Sequence, residues 1–362
     1  MLSILHIKEA YRMFKRHRYV KKHGFKTYKG TPKQILKNII NNCYNNTFFQ
    51  TSNGHFCQFY TRDFGWCTES LLKLGYKKQV TSTLQYALET FQKHNKITVA
   101  ITPDNIPFNF PNEAIDSLPW LIHSLRLLNN KQLIDKHKHF LIQQINHFTS
   151  YLDKDGLVRR DKHFSSMKDY AKRISSCYDN CMVSQLQQDL TTLKLPNPLK
   201  KYNYKKLILH HFWTGSHFKD DLSDNPEVSG DANIFPFLTN TIKDKTILKK
   251  AIKAIESHNL TSPFPLKYSS DYKKEHKLIW LELFAGDYER DAIWLHMGPL
   301  YLKLLKTTNK KEYKHHLNTY LSLIKKHKTF LEVFDRHGHP FSTKFYTTDE
   351  GMLWSANLMT LL

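Results

Sequence analysis

The sequence predicts an all-α protein whose helices pair into an (α/α)6 barrel, and three observations carry that prediction. Apolar residues recur at three- and four-residue spacing along most of the chain, with few alternating, strand-like runs. Loops rich in Gly, Pro, Asn and Asp precede about every second helical run: "TSNGHFCQFYTRDF", "ITPDNIPFNFPNEAID", "LDKDGLVRRDKHFSSMKD", "GSHFKDDLSDNPEVSGD" and "DRHGHPFSTKFYTTDEG". The links between ("GYKKQ", "NNKQ", "TTNKKE") are short, so the long loops collect at one end of a repeating array of helix pairs. Long structured loops are where function concentrates, which places a pocket at that end. An open solenoid of helix pairs is the alternative arrangement, and the lack of a motif of constant period weighs against it.

In chain order, the apolar periodicity predicts helices over 33 to 45, 64 to 75, 78 to 94, 113 to 128, 131 to 152 and 178 to 194, and then over 202 to 213, 231 to 242, 244 to 258, 289 to 307, 309 to 330 and 350 to 361. No low-complexity stretch or Ser/Gly linker divides them, so one domain over 1 to 362 is expected, with a basic N-terminal segment over 1 to 30. With 40% apolar and 13% aromatic residues in 362, the chain can bury a sizeable core, which argues against disorder.

Lys plus Arg outnumber Asp plus Glu by 54 to 32, a formal charge of +22 that would in principle suit a phosphate backbone. The lysines, however, recur along the whole chain ("KDKTILKKAIKAI", "IKKHK"), mostly on the polar sides of helical patterns. That distribution reads as compositional bias and not as a nucleic-acid footprint. The dense cluster "KRHRYVKKHGFK" (15 to 26) reads as a solvated face or flexible terminus, with a local anion-binding arm as the sharper alternative. Cys43, Cys57, Cys67, Cys177 and Cys181 are odd in number and lack a framework of spacings, so reduced thiols in a cytoplasmic protein are expected. Cys177 and Cys181 share a helix face, but no further pair at ligand spacing completes a zinc site, and neither metal nor cofactor is expected. The N-terminus carries Glu9 inside a short apolar stretch and does not read as a secretory signal, and no window approaches the roughly 20 apolar residues of a membrane helix.

Charged residues stand where a solvated connection has no need of them. Asp169, Arg173 and Asp179 lie among small and thiol side chains in "SSMKDYAKRISSCYDNCMVSQL", and Arg62 and Asp63 interrupt aromatics in "FYTRDFGWCTESLL". Several such stretches together resemble, in chain order, the (α/α)6-barrel glycoside hydrolases: glucoamylases, neutral invertases, trehalases and the glucosidase domain of debranching enzymes. "YTRDFGW" resembles the Arg-Asp element of the first substrate loop, and "NEAIDSLPWLIHSLRLL" the Asp-x-x-x-Trp helix entry whose Asp and aromatic face the pocket, here Asp116 and Trp120. "SSMKDYAKR" followed by "CYDNCMVSQL" is similar to the segment that holds the acid. "SGDANIFPFL" and "ERDAIWLHMGPLYLKLL" resemble further helix entries. "LEVFDRHGHPFSTKFYTTDEGMLWSANL" is similar to the terminal element, in which a Glu before an aromatic-Asp pair is the base. The stretch at Asp169 lacks the Trp that often flanks the acid, and Asp179 stands where relatives commonly have Glu.

The resemblance implies an inverting, exo-acting hydrolase of an α-glucosidic carbohydrate. Such cleavage needs one carboxylic acid to protonate the leaving oxygen and a second carboxylate, roughly 6.5 to 9.5 Å away, to activate water. Asp169 is assigned as general acid, Glu332 as general base and Asp179 as the reserve acid. Arg62 and Asp63 would hold adjacent sugar hydroxyls by charge-assisted bonds, with Arg173 beside the acid. Trp66, Trp120 and Trp294 would offer flat faces to a sugar, and His296 and Glu350 complete the candidates. Each has a plainer reading: Asp169 and Asp179 as helix caps, Glu332 as an exposed helix end, Arg62 with Asp63 as a mutual ion pair or cap, the tryptophans as core and Glu350 as the start of the last helix. The alternatives for the chain are a sugar epimerase or isomerase working through histidines on a similar barrel, and a basic helical scaffold for nucleic acid.

Overall fold

The computed structural model describes residues 4–270, 286 and 288–362. The chain enters through α1 (Ile4–His23) and α2 (Pro32–Cys43). There follow α3 (Thr61–Lys73), α4 (Lys77–Lys93), α5 (Ser117–Leu128), α6 (Lys131–Lys136) and α7 (Lys138–Phe148). Beyond a long loop come α8 (Cys177–Leu193), α9 (Tyr204–Phe212), α10 (Gly230–Leu238) and α11 (Lys245–Ser257). The last described helices are α12 (Met297–Thr308), α13 (Lys310–His327) and α14 (Ser355–Met359).

Six helices form a closed inner ring, each packed on the next: α3, α5, α8, α10, α12, α14 and back to α3. An outer helix backs each of them: α4 on α3, α7 on α5, α9 on α8, α11 on α10, α13 on α12, and α2 on α14, which joins the two ends of the chain. This is the (α/α)6 barrel. The amino-acid sequence sorts the helices between the rings. The outer α11 buries one stripe, Leu248, Ala251, Ile252, Ala254 and Ile255, and leaves its lysines in water. The inner α10 (GDANIFPFL) is buried from Gly230 through Phe237, because a helix surrounded on all sides has no polar face to spend.

Several boundaries differ from those the periodicity predicts. The run over 131 to 152 breaks at His137, which is buried and turns its Nδ1 to Gln92 Oε1 at 2.6 Å on α4, ending α6 and starting α7. The run over 289 to 307 is helical only from Met297. Ahead of it Ile293–Trp294 forms a strand, β4, paired antiparallel with β5 (Val333–Phe334). The last helix starts at Ser355 instead of 350, since Glu350 is held in a bridge to Leu331. A second small sheet joins β1 (Phe59–Tyr60), β2 (Ala100–Ile101) and β3 (Pro107–Phe108), with Phe59 opposite Ile101 and Ala100 opposite Phe108. Both sheets tie one long loop to another at the N-terminal ends of the inner helices. The basic cluster over 15 to 26 runs through the C-terminal half of α1, with Lys15, Arg18, Lys21 and Lys22 exposed while His17 and Val20 are buried.

Candidate active site

The N-terminal ends of inner helices and the loops before them enclose a cavity of about 140 Å³. Its polar lining includes Arg62, Asp63, Asp169, Glu289, His296 and Glu332. Aromatic rings, among them Trp66, Tyr170, Tyr288, Trp294, Tyr346 and Trp354, make most of the rest. Helix N-termini carry partial positive charge, so this end of the barrel favours carboxylates.

Asp169 precedes α8 by eight residues, and the helix is capped by Ser176, which accepts from Asp179 N at 3.0 Å. Its Oδ1 accepts from Ser165 Oγ and from Arg62 Nη2. Arg62 is itself fixed from behind: its Nε donates to Asp116 Oδ2 at 2.5 Å, and Tyr178 donates to the same oxygen at 2.8 Å while receiving Trp120 Nε1–H at 3.1 Å. A relay of buried groups thus runs from Trp120 to Asp169, leaving Asp169 Oδ2 without a hydrogen bond among the described residues. Below, Glu289 accepts the backbone N–H of Asp169 at 2.8 Å and of Tyr170 at 2.7 Å. Burial raises both carboxyls above their ordinary values. Asp169 is pulled back by Arg62, while Glu289 is pushed further by Asp169 and reaches about 8.

Glu332 is buried just ahead of β5 and not an exposed helix end. Its Oε1 accepts from Tyr288 Oη; its Oε2 accepts from Tyr346 Oη at 2.5 Å and from Asp349 N at 2.9 Å. Oε2 is therefore saturated, and Oε1 keeps a free lone pair. Burial pushes Glu332 up to about 8 against those three donors, which favour the charged form. Asp63 accepts Trp354 Nε1–H at 2.9 Å, and burial pushes it up to about 7.

His296 lies stacked on Trp66, with centroids 4.5 Å apart and planes inclined by 13°. Tyr268 gives its hydroxyl proton to Met167 O at 2.9 Å, so His296 donates to that hydroxyl from Nε2 at 2.8 Å and keeps Nδ1 bare. Burial lowers the imidazole well below its ordinary value, so it is neutral. Trp66 Nε1 and His296 Nδ1, a donor and an acceptor, have no hydrogen-bond partner among the described residues.

Of the sequence candidates, Arg62, Asp63, Trp66, Asp169, Trp294, His296 and Glu332 line this cavity. The others stand behind or beside it. Asp116 and Trp120 hold Arg62 from the α3/α5 interface. Arg173 is buried against Asp220, Asp231 and Ser166. Asp179 sits in the first turn of α8 with burial raising it to about 6, and Glu350 pairs with Arg16 on α1. Arg62 bonds Asp116 and Asp169 instead of its neighbour Asp63. Glu289, Tyr288, Tyr346, Trp354 and Met13 escaped the sequence reading. A Glu in "YERDAIW" carries no periodic signal, since its role comes from bonding a backbone 119 or 120 residues away. Among the described residues no group of three His, Cys, Asp or Glu side chains is arranged to hold a metal, and no helix is long and apolar enough to cross a membrane.

Neither a protein-family model nor a curated protein sequence matches the chain. Solved structures do match in shape. A glycosidase variant with glucose bound superposes with a TM-score of 0.66 at 9% identity, over 99% of this chain and 97% of that one. The mannosylglycerate hydrolase of family GH63 from Thermus thermophilus, in complex with Tris, gives 0.61 at 9% identity, over 91% and 100%. A rhamnosidase from Klebsiella oxytoca with rhamnose bound gives 0.64 at 12% identity over 92% of this chain, which spans only 64% of the rhamnosidase. The chain thus has the fold of these glycosidases: it resembles the (α/α)6-barrel glycoside hydrolases across nearly its whole length.

Proposed function

We propose that the chain is a single-domain glycoside hydrolase, exo-acting and inverting on a small neutral sugar, with an α-glucoside as the substrate of choice. The observation that carries the reading is the pairing of Asp169 and Glu332 in one cleft walled by aromatic rings. Among the described residues lining the cleft there are four carboxyl groups (Asp63, Asp169, Glu289, Glu332), no lysine, and one guanidinium already engaged by Asp116 and Asp169. With its guanidinium already engaged and no lysine among those residues, the cleft lacks the cations that phosphate or another anionic substrate would need. His296 is the one histidine among those residues, which disfavours an epimerase needing a pair of proton-transferring imidazoles.

In this reading Asp169 carries its proton on Oδ2, the oxygen that Ser165 and Arg62 leave free, and delivers it to the glycosidic oxygen as that bond breaks. Glu332 takes a proton from water at Oε1, and the hydroxide adds to the anomeric carbon from the opposite face. Glu289, buried and accepting the backbone N–H groups of Asp169 and Tyr170, positions the segment that carries the acid, and burial keeps the proton on Asp169. Trp66 Nε1–H and bare His296 Nδ1 suit the hydroxyls of one sugar ring, each hydroxyl being donor and acceptor. The unbridged cysteines suit a reducing cytoplasm. The test is a pair of isosteric variants. Glu332→Gln should fold and lose about 10²–10⁴-fold in turnover, and Asp169→Asn should lose as much on alkyl glucosides while sparing activated aryl glucosides that need little protonation. Near-normal turnover by folded Glu332→Gln removes the assignment of the base.

A further inference from the structure

On that reading of the site, we propose that α1 is a fixed wall of the cleft and that Met13 sets the length of substrate it admits. Met13 is the one residue of α1 that lines the cavity. The helix around it is tethered to three separate cleft loops. Toward the loop before β1, Arg12 donates to Cys57 Sγ at 3.1 Å, and Glu9 accepts from the buried Gln58. Toward the loop that holds β2 and β3, His6 Nε2 meets Asn109 O at 3.0 Å and Leu5 packs on Val99, Ala100 and Phe108. Toward the terminal loop, His17 Nδ1 meets Thr347 Oγ1 at 2.8 Å and Arg16 pairs with Glu350, whose side chain is wholly buried.

From His6 to His17 the helix axis rises about 16 Å at roughly 1.5 Å per residue, so the tethers bracket Met13 on both sides. The strongest of them is ionic: without Arg16, a buried carboxylate would stand uncompensated, and such a pair resists being pulled apart. A wall held at both ends does not swing aside for a polymer to thread through. It leaves room for a terminal sugar and a short leaving portion, whose far end meets the Met13 thioether.

The experiment compares kcat/KM for maltose, maltotriose, maltohexaose and an aryl α-glucoside in the full chain and in Met13→Ala and Met13→Trp. The wild type should prefer maltose to maltohexaose by about tenfold or more, the range a pocket contact of this size supports. Met13→Ala should narrow that ratio and Met13→Trp should widen it, each by about fivefold, with melting temperatures confirming that both variants fold. A wild type indifferent to length, or two folded variants with an unchanged ratio, overturns the wall while leaving the hydrolase reading intact. A chain that turns over none of the four loses the proposed function, and this inference with it.

Discussion

Glu332 holds two phenol protons and a backbone N–H, and each stabilises the ionised carboxylate in a setting whose burial opposes ionisation. The residue stands near 8 because burial outweighs the donors. That balance yields a residue-scale prediction for Tyr346→Phe, which deletes one donor and keeps the ring. On the proposed assignment of Glu332 as base, its pKa should rise further, moving the acid limb of kcat/KM to higher pH by about one unit and lowering the rate at pH 7 about tenfold. Because only the charged form loses stabilisation, activity should recover as the pH is raised. A variant equally impaired at every pH would show that Tyr346 merely shapes the pocket.

Inner helices of the barrel begin where the chemistry is, and their close packing fixes the site's geometry. Gly65 on α3 faces Trp120 on α5, and a methyl group there would lie 2.7 Å from Trp120 Cβ and 2.9 Å from its ring. The Arg62–Asp116 bond crosses the same interface. Gly65→Ala should therefore destabilise by about 1–3 kcal/mol in urea unfolding and also weaken turnover by loosening Arg62. A variant with unaltered midpoint and turnover would mean that α3 and α5 can part freely. These inner helices were also where the sequence was hardest to read. The outer α11 and α13 announce themselves through one apolar stripe, and their ends came within a residue or three of the periodic reading. Before α12, "AIWLHM" is buried on all sides, so its periodicity could not separate strand from helix, and Ile293–Trp294 became β4. The same holds at the site: Asp169 and Glu332 stood out as charges in odd company, whereas Asp116 and Trp120, expected in the pocket, support it from behind. Local sequence marks a helix entry but does not say which of its side chains turns inward.

Across the whole molecule, a strongly basic chain buries several acidic groups around the cleft, and that arrangement makes stability depend on pH with a definite sign. Glu289 and Glu332 titrate near 8 when folded against an ordinary 4.5, so the folded state holds protons that the unfolded chain releases. Their stabilising contribution is complete below about 4.5 and is lost as pH rises through 8. Asp63, raised to about 7, acts the same way over a shorter span. The buried imidazoles oppose them: His55, lowered to about 4 by burial, and His296, lowered well below 6.5, lose stability as pH falls below 6.5. Between about 4.5 and 6.5 the two sets largely offset each other, and above 6.5 only the carboxyls act. The melting temperature should accordingly hold nearly level from pH 5 to 6.5 and drop by several degrees by pH 8.5, at about 1.4 kcal/mol per carboxyl per pH unit as an upper limit. Replacing both carboxyls in the double variant Glu289→Gln/Glu332→Gln removes the groups that release protons, so its melting temperature above pH 6.5 should fall much less steeply. A wild-type melting temperature that does not fall between pH 6.5 and 8.5 would mean that Glu289 and Glu332 are already ionised in the folded barrel at pH 6.5, and the alkaline acid limb expected for Glu332 would be lost with it.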